Sequence, residues 1–98
     1  MSLSQKQIRH LRSLAHHLKP VVWVGQHGLS DNILEEVRIA LDAHELIKVK
    51  LAAEKSERSA MIEKITAATH CALVQHIGQM AVLFRRNEDK PKVILPSQ

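Results

Sequence analysis

The sequence predicts a single small α/β domain in which helices pack on a four-stranded mixed sheet. Segments with helical apolar spacing alternate with short β-branched or alternating segments, in the order α-β-α-β-α-β-β. The 98 residues, 45% of them apolar and 24% charged, suit one globular domain. No linker or repeat divides residues 1–98, so we expect one unit with a modest core.

The first helix begins at a capping box formed by Ser4 and Gln7. Pro20 ends this helix because proline cannot continue the hydrogen-bond ladder. The apolar stripe predicted to face the core consists of Ile8, Leu11, Leu14, Ala15 and Leu18.

The run from Val21 to Val24 predicts a short buried strand with parallel neighbours. A second helix follows, and the residues that could cap its N-terminus are Ser30, Asp31 and Asn32. Its predicted inward residues are Ile33, Leu34, Val37, Ala40 and Leu41. We expect Arg38 to form local ion pairs with Glu35 and Asp42, and His44 to be packed or to cap the helix.

The second half of the chain predicts one more helix and three strands. Residues 45–51 alternate, so Lys48 and Lys50 face away from the core. A helix over 56–69 precedes strands at 72–77 and 80–85, which are joined by a turn at Gly78. We expect two strand-helix-strand crossovers, a final hairpin that adds an antiparallel edge, and an irregular tail over 87–98.

The positive charge is concentrated at the start of the chain. The net charge is +4, yet residues 31–98 contain ten basic and ten acidic residues. The excess therefore lies in residues 1–30, which have no acid and whose basic residues are Lys6, Arg9, Arg12 and Lys19. A positive field on one face suits a polyanion, with nucleic acid ahead of an anionic membrane, although a merely solvated surface is the alternative.

The strongest functional signal is a GxxG loop between the first strand and the second helix. Its residues are Gly25, Gln26, His27 and Gly28. Two glycines allow a tight turn and a close approach of another backbone, and loops of this type clamp the nucleic-acid backbone in KH domains. Asp31 and Glu35 at the helix start repel phosphate, so we expect the loop backbone to make the contact.

Three segments together resemble the CRM domain, and more closely the stand-alone bacterial YhbY family. These segments are residues 18–22, 25–30 and 44–50, and the resemblance covers nearly the whole chain. It implies a fold similar to the C-terminal domain of bacterial translation initiation factor three. It also implies RNA binding through the GxxG loop and the adjacent basic surface, in bacteria on precursors of the large (50S) ribosomal subunit and in plant organelles in intron splicing.

This chain departs from the family pattern inside the loop. Gln26 and His27 provide no lysine or arginine there, so more of the electrostatic attraction falls on Lys19, on the first helix and on Lys48 and Lys50. The two strand lysines could line an RNA groove or could protect a sheet from aggregation. His27 could hydrogen-bond phosphate or base, or could be an ordinary exposed residue.

Other functional classes find less support. The seven histidines lack metal-ligand spacing, no nucleophile elbow or nucleotide fingerprint occurs, and only two residues are aromatic. We therefore expect no enzyme, cofactor or metal, and no aromatic sheet of the RRM type. The single Cys71 suits the reducing cytoplasm, and no segment predicts a signal peptide or a membrane span. The main alternative is a module that binds a ribosomal protein or an assembly GTPase without touching RNA.

Overall fold

A computed structural model describes residues 2–25 and 27–97 of the chain. The helices are α1 (Gln5–Ala15), α2 (Asp31–His44) and α3 (Lys55–Thr69), and the strands are β1 (Val22–Val24), β2 (Leu46–Leu51), β3 (Ala72–Ile77) and β4 (Met80–Phe84). The predicted element order is confirmed, with boundaries within one residue for most elements. The exception is α1, which ends at Ala15 and not at the predicted stop before Pro20. None of the described helices is long and apolar enough to cross a membrane.

The helix starts follow the capping residues of the sequence. Ser4 caps α1 by accepting from the backbone N–H of Gln7, whose side chain accepts from the N–H of Ser4, so the predicted capping box is present. Ser30, one of three candidates, caps α2 through its hydroxyl and the N–H of Ile33.

The sheet has the strand order β1-β2-β4-β3. Strands β1 and β2 are parallel, whereas β4 runs antiparallel to both β2 and β3. The prediction that the final hairpin adds an antiparallel edge is therefore confirmed: β3 is the edge strand, and β4 lies between β3 and β2. Its apolar residues Ala81–Phe84 explain this central place, since all four are buried.

The sheet separates two apolar clusters. Helices α2 and α3 cover one face, where residues such as Val37 and Ile65 pack on Val49 and Leu83. On the other face α1 packs through Leu11 and Ala15, together with the C-terminal tail. Because α1 covers only part of this face, a portion of the sheet between β1 and β3 remains open.

The prediction for the first strand was wrong in one respect that matters for function. Strand β1 lies at the sheet edge with β2 as its one neighbour in the sheet, and only Val22 and Val24 are buried. Trp23 is 62% exposed, on the face opposite to those valines. A β-strand sends alternate side chains to opposite faces, and α1 does not reach this one.

The tail after β4 is irregular, as predicted, but it is anchored at Glu45. This residue is fully buried, and its carboxylate accepts from the backbone N–H groups of Asn87, Lys92 and Val93 at 2.6–2.7 Å. The Arg86 guanidinium lies 3.2 Å from both carboxylate oxygens. Burial alone raises the pKa of the Glu45 carboxyl, but these donors outweigh it and hold the pKa below its usual value.

Candidate nucleic-acid interface

The GxxG loop is a closed turn at the end of β1. The Gly28 N–H donates to the Gly25 carbonyl at 3.1 Å, and Gly28 has a φ of 77°. This left-handed conformation favours glycine there. His27 is exposed, and the predicted contact residue Gln26 lies outside the described residues.

The loop adjoins an exposed tryptophan and a half-buried lysine. Trp23 stands two positions before Gly25, and its register partner on β2 is Lys50. The Lys50 ammonium lies 4.9 Å from the centroid of the Trp23 ring, within the range of a cation–π contact. One positive charge is thereby held beside the loop.

Lys48 stands between two depressions on the same side of the sheet. With Lys19 it lines a cleft of about 560 Å³, which has an apolar floor that includes Leu18 and Leu46. With His16 and Ile77 it lines a smaller depression of about 240 Å³. Among the described residues lining these two depressions, none is acidic. Lys48 is thus a central cation in an acid-free surface.

The basic residues of α1 extend this surface in part. The Arg12 Nε donates to the carbonyl of Val74 at 3.2 Å, which ties the end of α1 to β3 near His16. Lys6 and Arg9 are exposed on the N-terminal half of this helix, which is about 16 Å long. Neither residue lines the two depressions beside Lys48, so they suit long-range attraction better than close contact.

These residues form one continuous surface, here called the cationic track. It runs from Arg12 on α1 and His16 just after this helix, through Lys48 and Lys50 on β2, to Trp23 and the loop at Gly25–Gly28. The structure thus brings the predicted strand lysines, Lys19 and the loop to one side of the sheet. A flexible polyanion could lie along such a surface with its phosphates on the lysines.

The structure also tests the predictions made for the ion pairs of Arg38 and for His44. Arg38 pairs with Glu35 at 3.2 Å, but Asp42 pairs with Arg85 instead. His44, expected to be packed or capping, is exposed and borders the 560 Å³ cleft; the N–H of the next residue closes α2. Within residues 2–25 and 27–97, no three His, Cys, Asp or Glu side chains are grouped to hold a metal ion.

Cys71 packs against the core, as expected for a small apolar side chain. Its Sγ lies 3.2 Å from the Thr69 hydroxyl, and burial raises the pKa of the Cys71 thiol. A raised pKa keeps the thiol protonated and poorly nucleophilic, which suits a structural role.

The sequence reasoning missed Trp23 and Lys92 as members of the basic surface. Lys92 borders the 560 Å³ cleft because the tail folds back onto Glu45. Trp23 could have been found from strand alternation: if Val22 and Val24 face the core, Trp23 faces away from it. The tail contact had no local signal, because it joins residues more than 40 positions apart.

The fold and the loop define a small α/β domain with a GxxG turn beside an acid-free basic sheet face. The CRS1/YhbY (CRM) domain model matches residues 3–85, and the chain therefore belongs to this family. The resemblance seen in the sequence is confirmed.

Relatives of similar length carry consistent names. The chain is 47% identical over 88 residues to a probable RNA-binding protein of Pseudomonas aeruginosa, covering 89% of this chain and 85% of that protein. It is 46% identical over 96 residues to an RNA-binding protein of Haemophilus influenzae, covering 97% and 96%. The solution structure of a hypothetical RNA-binding protein from Staphylococcus aureus superposes with a TM-score of 0.83 at 34% identity, covering 97% of this chain and all of that one. The predicted fold class is confirmed.

Proposed function

We propose that this protein binds RNA without catalysing a reaction on it, and that its target is ribosomal RNA in precursors of the large ribosomal subunit. The observation that carries RNA binding is the cationic track ending at the GxxG loop, on a surface without acidic residues among those lining its depressions. The names of the bacterial relatives support an RNA partner. The ribosomal target and the bacterial cytoplasm as the place of action follow from what the family resemblance implies.

The proposed RNA binding combines two kinds of contact, one made by the loop backbone and one made by basic side chains. In this proposal the loop, with Gly25, Gln26, His27 and Gly28, lies close to the RNA backbone, because Gly25 and Gly28 carry no side chain and have open space around them. The surrounding cations neutralise phosphates, and we assign this role to Lys6, Arg9, Arg12, Lys19, Lys48 and Lys50. Such contacts read phosphate position and RNA shape more than sequence.

The test is sedimentation of the tagged protein in a gradient of cell extract, with and without RNase, followed by sequencing of crosslinked RNA. We expect comigration with large-subunit precursors that RNase abolishes, and crosslinks in one region of their RNA. A folded Gly28→Asp variant, analysed in parallel, should lose the crosslinks.

Migration as free protein without enriched RNA would overturn the proposal. Comigration that survives RNase, without crosslinks, would instead favour a module that binds a ribosomal protein or an assembly GTPase. Salt dependence separates these cases as well, because a protein contact of mixed charge does not show the counterion release of phosphate binding.

A further inference from the structure

The largest apolar side chain of the protein is outside its core. Trp23 is 62% exposed, whereas Phe84, the one other aromatic ring, is fully buried. Burying an aromatic ring of this size contributes more than burying most other side chains, so an exposed ring is an available contact surface. Its position, two residues before the GxxG loop, places that surface beside the proposed RNA backbone contact.

Trp23 begins a row of side chains that crosses all four strands. The register pairs Trp23 with Lys50, Lys50 with Met80, and Met80 with Ile77. Ile77 at the far end is 63% exposed. Because neighbouring strands lie about 4.8 Å apart, the row is about 14 Å long. It is apolar at both ends and in β4, with one cation next to the tryptophan.

The chemistry of this row selects its ligand. A flat apolar group could stack on the indole or lie over Met80, while a neighbouring anionic group could pair with Lys50 and Lys48. Single-stranded nucleic acid presents flat bases at regular intervals along a chain of phosphates. Bases in a duplex are stacked on one another and do not offer their faces, so an unpaired base fits and a helical one does not.

We propose that Trp23 is a stacking site for one unpaired RNA base, with Lys50 binding the adjacent phosphate and the GxxG loop holding the next part of the backbone. This inference rests on the proposed RNA binding and adds to it a ligand class, single-stranded RNA. The cation–π contact between Lys50 and the indole holds the ammonium in place before RNA arrives.

The protein carries its own probe for this proposal, because Trp23 is its single tryptophan and it has no tyrosine. Trp23 fluorescence is followed while a short single-stranded oligoadenylate is added. Stacking of adenine should quench the emission in parallel with binding measured by polarisation of a labelled RNA. Inorganic polyphosphate supplies the charges without the bases. It should displace the labelled RNA but leave most of the Trp23 emission unquenched.

Variants at Trp23 then measure the contribution of the ring. Trp23→Leu should weaken binding to the oligoadenylate by about 5- to 150-fold, since stacking of one base on an aromatic residue contributes about 1–3 kcal/mol. Trp23→Phe should recover most of the affinity. Binding of duplex RNA should be unchanged in both variants. The matched control is Ile39→Ala, which removes an apolar side chain of 61% exposure from α2 on the other side of the sheet and should bind like the parent protein.

The outcomes separate this inference from the function on which it rests. Suppose that the protein binds oligoadenylate and that Gly28→Asp weakens this binding. If Trp23 emission then does not change on adding oligoadenylate, and Trp23→Leu binds it as tightly as the parent protein, base stacking is overturned and RNA binding stands. Quenching by polyphosphate as strong as that by RNA would also overturn stacking, because charge alone would explain the signal. If neither single-stranded nor duplex RNA binds, the proposed function fails and the inference fails with it.

Discussion

At Gly28 the backbone conformation, and not a shortage of space, limits which residue can occupy the loop. A Cβ added there would meet no heavy atom within 4 Å, but the φ of 77° is unfavourable for most side chains. Asn and Asp tolerate this region better than other residues and have nearly the same shape. They therefore form a pair that differs in charge alone.

We predict that Gly28→Asp weakens RNA binding at least about tenfold more than Gly28→Asn does. A carboxylate near a phosphate is repelled by about 1 kcal/mol in water at 4 Å, and by several times more near a protein surface. Polarisation with a labelled RNA measures the affinities, and thermal unfolding checks that both variants are folded. Equal affinities for the two variants would show that the loop does not approach phosphate.

Glu45 is the second residue whose environment leads to a prediction. It has a φ of 64° and a fully buried carboxylate that joins the end of α2 to the tail. We predict that Glu45→Gln lowers the free energy of unfolding by about 3 kcal/mol or more, because it leaves Arg86 half-buried without its anion. Urea denaturation measures this, and the exposed Glu36→Gln should change the stability by less than about 0.5 kcal/mol.

The same carboxylate predicts the direction of a pH effect. Its pKa in the folded state is below the value in the unfolded chain, so the folded state binds this proton less readily. The stabilisation is fully present above the unfolded pKa, and it is lost as the pH falls through the folded pKa. The loss of stability on acidification from pH 6 should therefore be steeper in the parent protein than in Glu45→Gln; parallel curves would contradict this assignment.

At the scale of elements, α1 carries two separable functions. Its inner face packs on the sheet through Leu11 and Ala15, while Lys6 and Arg9 project into solvent. Removing these two charges leaves the packing intact. Arg12 is less suitable for such a test because its Nε is bonded to β3.

We predict that Lys6→Gln combined with Arg9→Gln reduces the salt dependence of RNA binding. Each lost phosphate contact lowers the magnitude of the slope of log K against log salt by about 0.7–0.9, so the pair should lower it by up to about 1.8. Lys55→Gln with Lys64→Gln removes the same net charge from α3, across the sheet from the cationic track, and should leave the slope unchanged. Equal slopes in all three proteins would remove Lys6 and Arg9 from the RNA contact.

Elements were predicted well from the sequence where local periodicity decides them. The capping box at Ser4 and the alternation of Lys48 and Lys50 are local patterns, and both were confirmed. The exposure of Trp23 depends on how far α1 extends over the sheet, which is a tertiary property. The Val21–Val24 run was interpreted as buried on both faces because its composition resembles a central parallel strand.

At the scale of the whole molecule, the order of elements was predictable but the order of strands in the sheet was not. The final hairpin can join the sheet through either of its strands, and the choice depends on which one pairs with β2. The candidate site was predicted as a set of residues, and the structure brings its loop and lysines to one side. Gln26 could not be compared, because it lies outside the described residues.

The whole surface leads to one further prediction. If about four phosphates are neutralised, the slope of log K against log salt should be roughly −3 to −4. Affinity measurements over a range of potassium chloride concentrations determine this slope. A slope near zero would contradict binding through the cationic track.

The anchoring of the tail on Glu45 also bears on how the domain forms during translation. A nascent chain that has emerged as far as Phe84 contains every helix and strand, yet the groups that satisfy the carboxylate belong to residues 86–93. Burying an ionised carboxylate without its donors is strongly unfavourable. Glu45 must therefore stay hydrated until residues 86–93 have emerged, so the domain completes its folding after that segment is available and not when its sheet is first available.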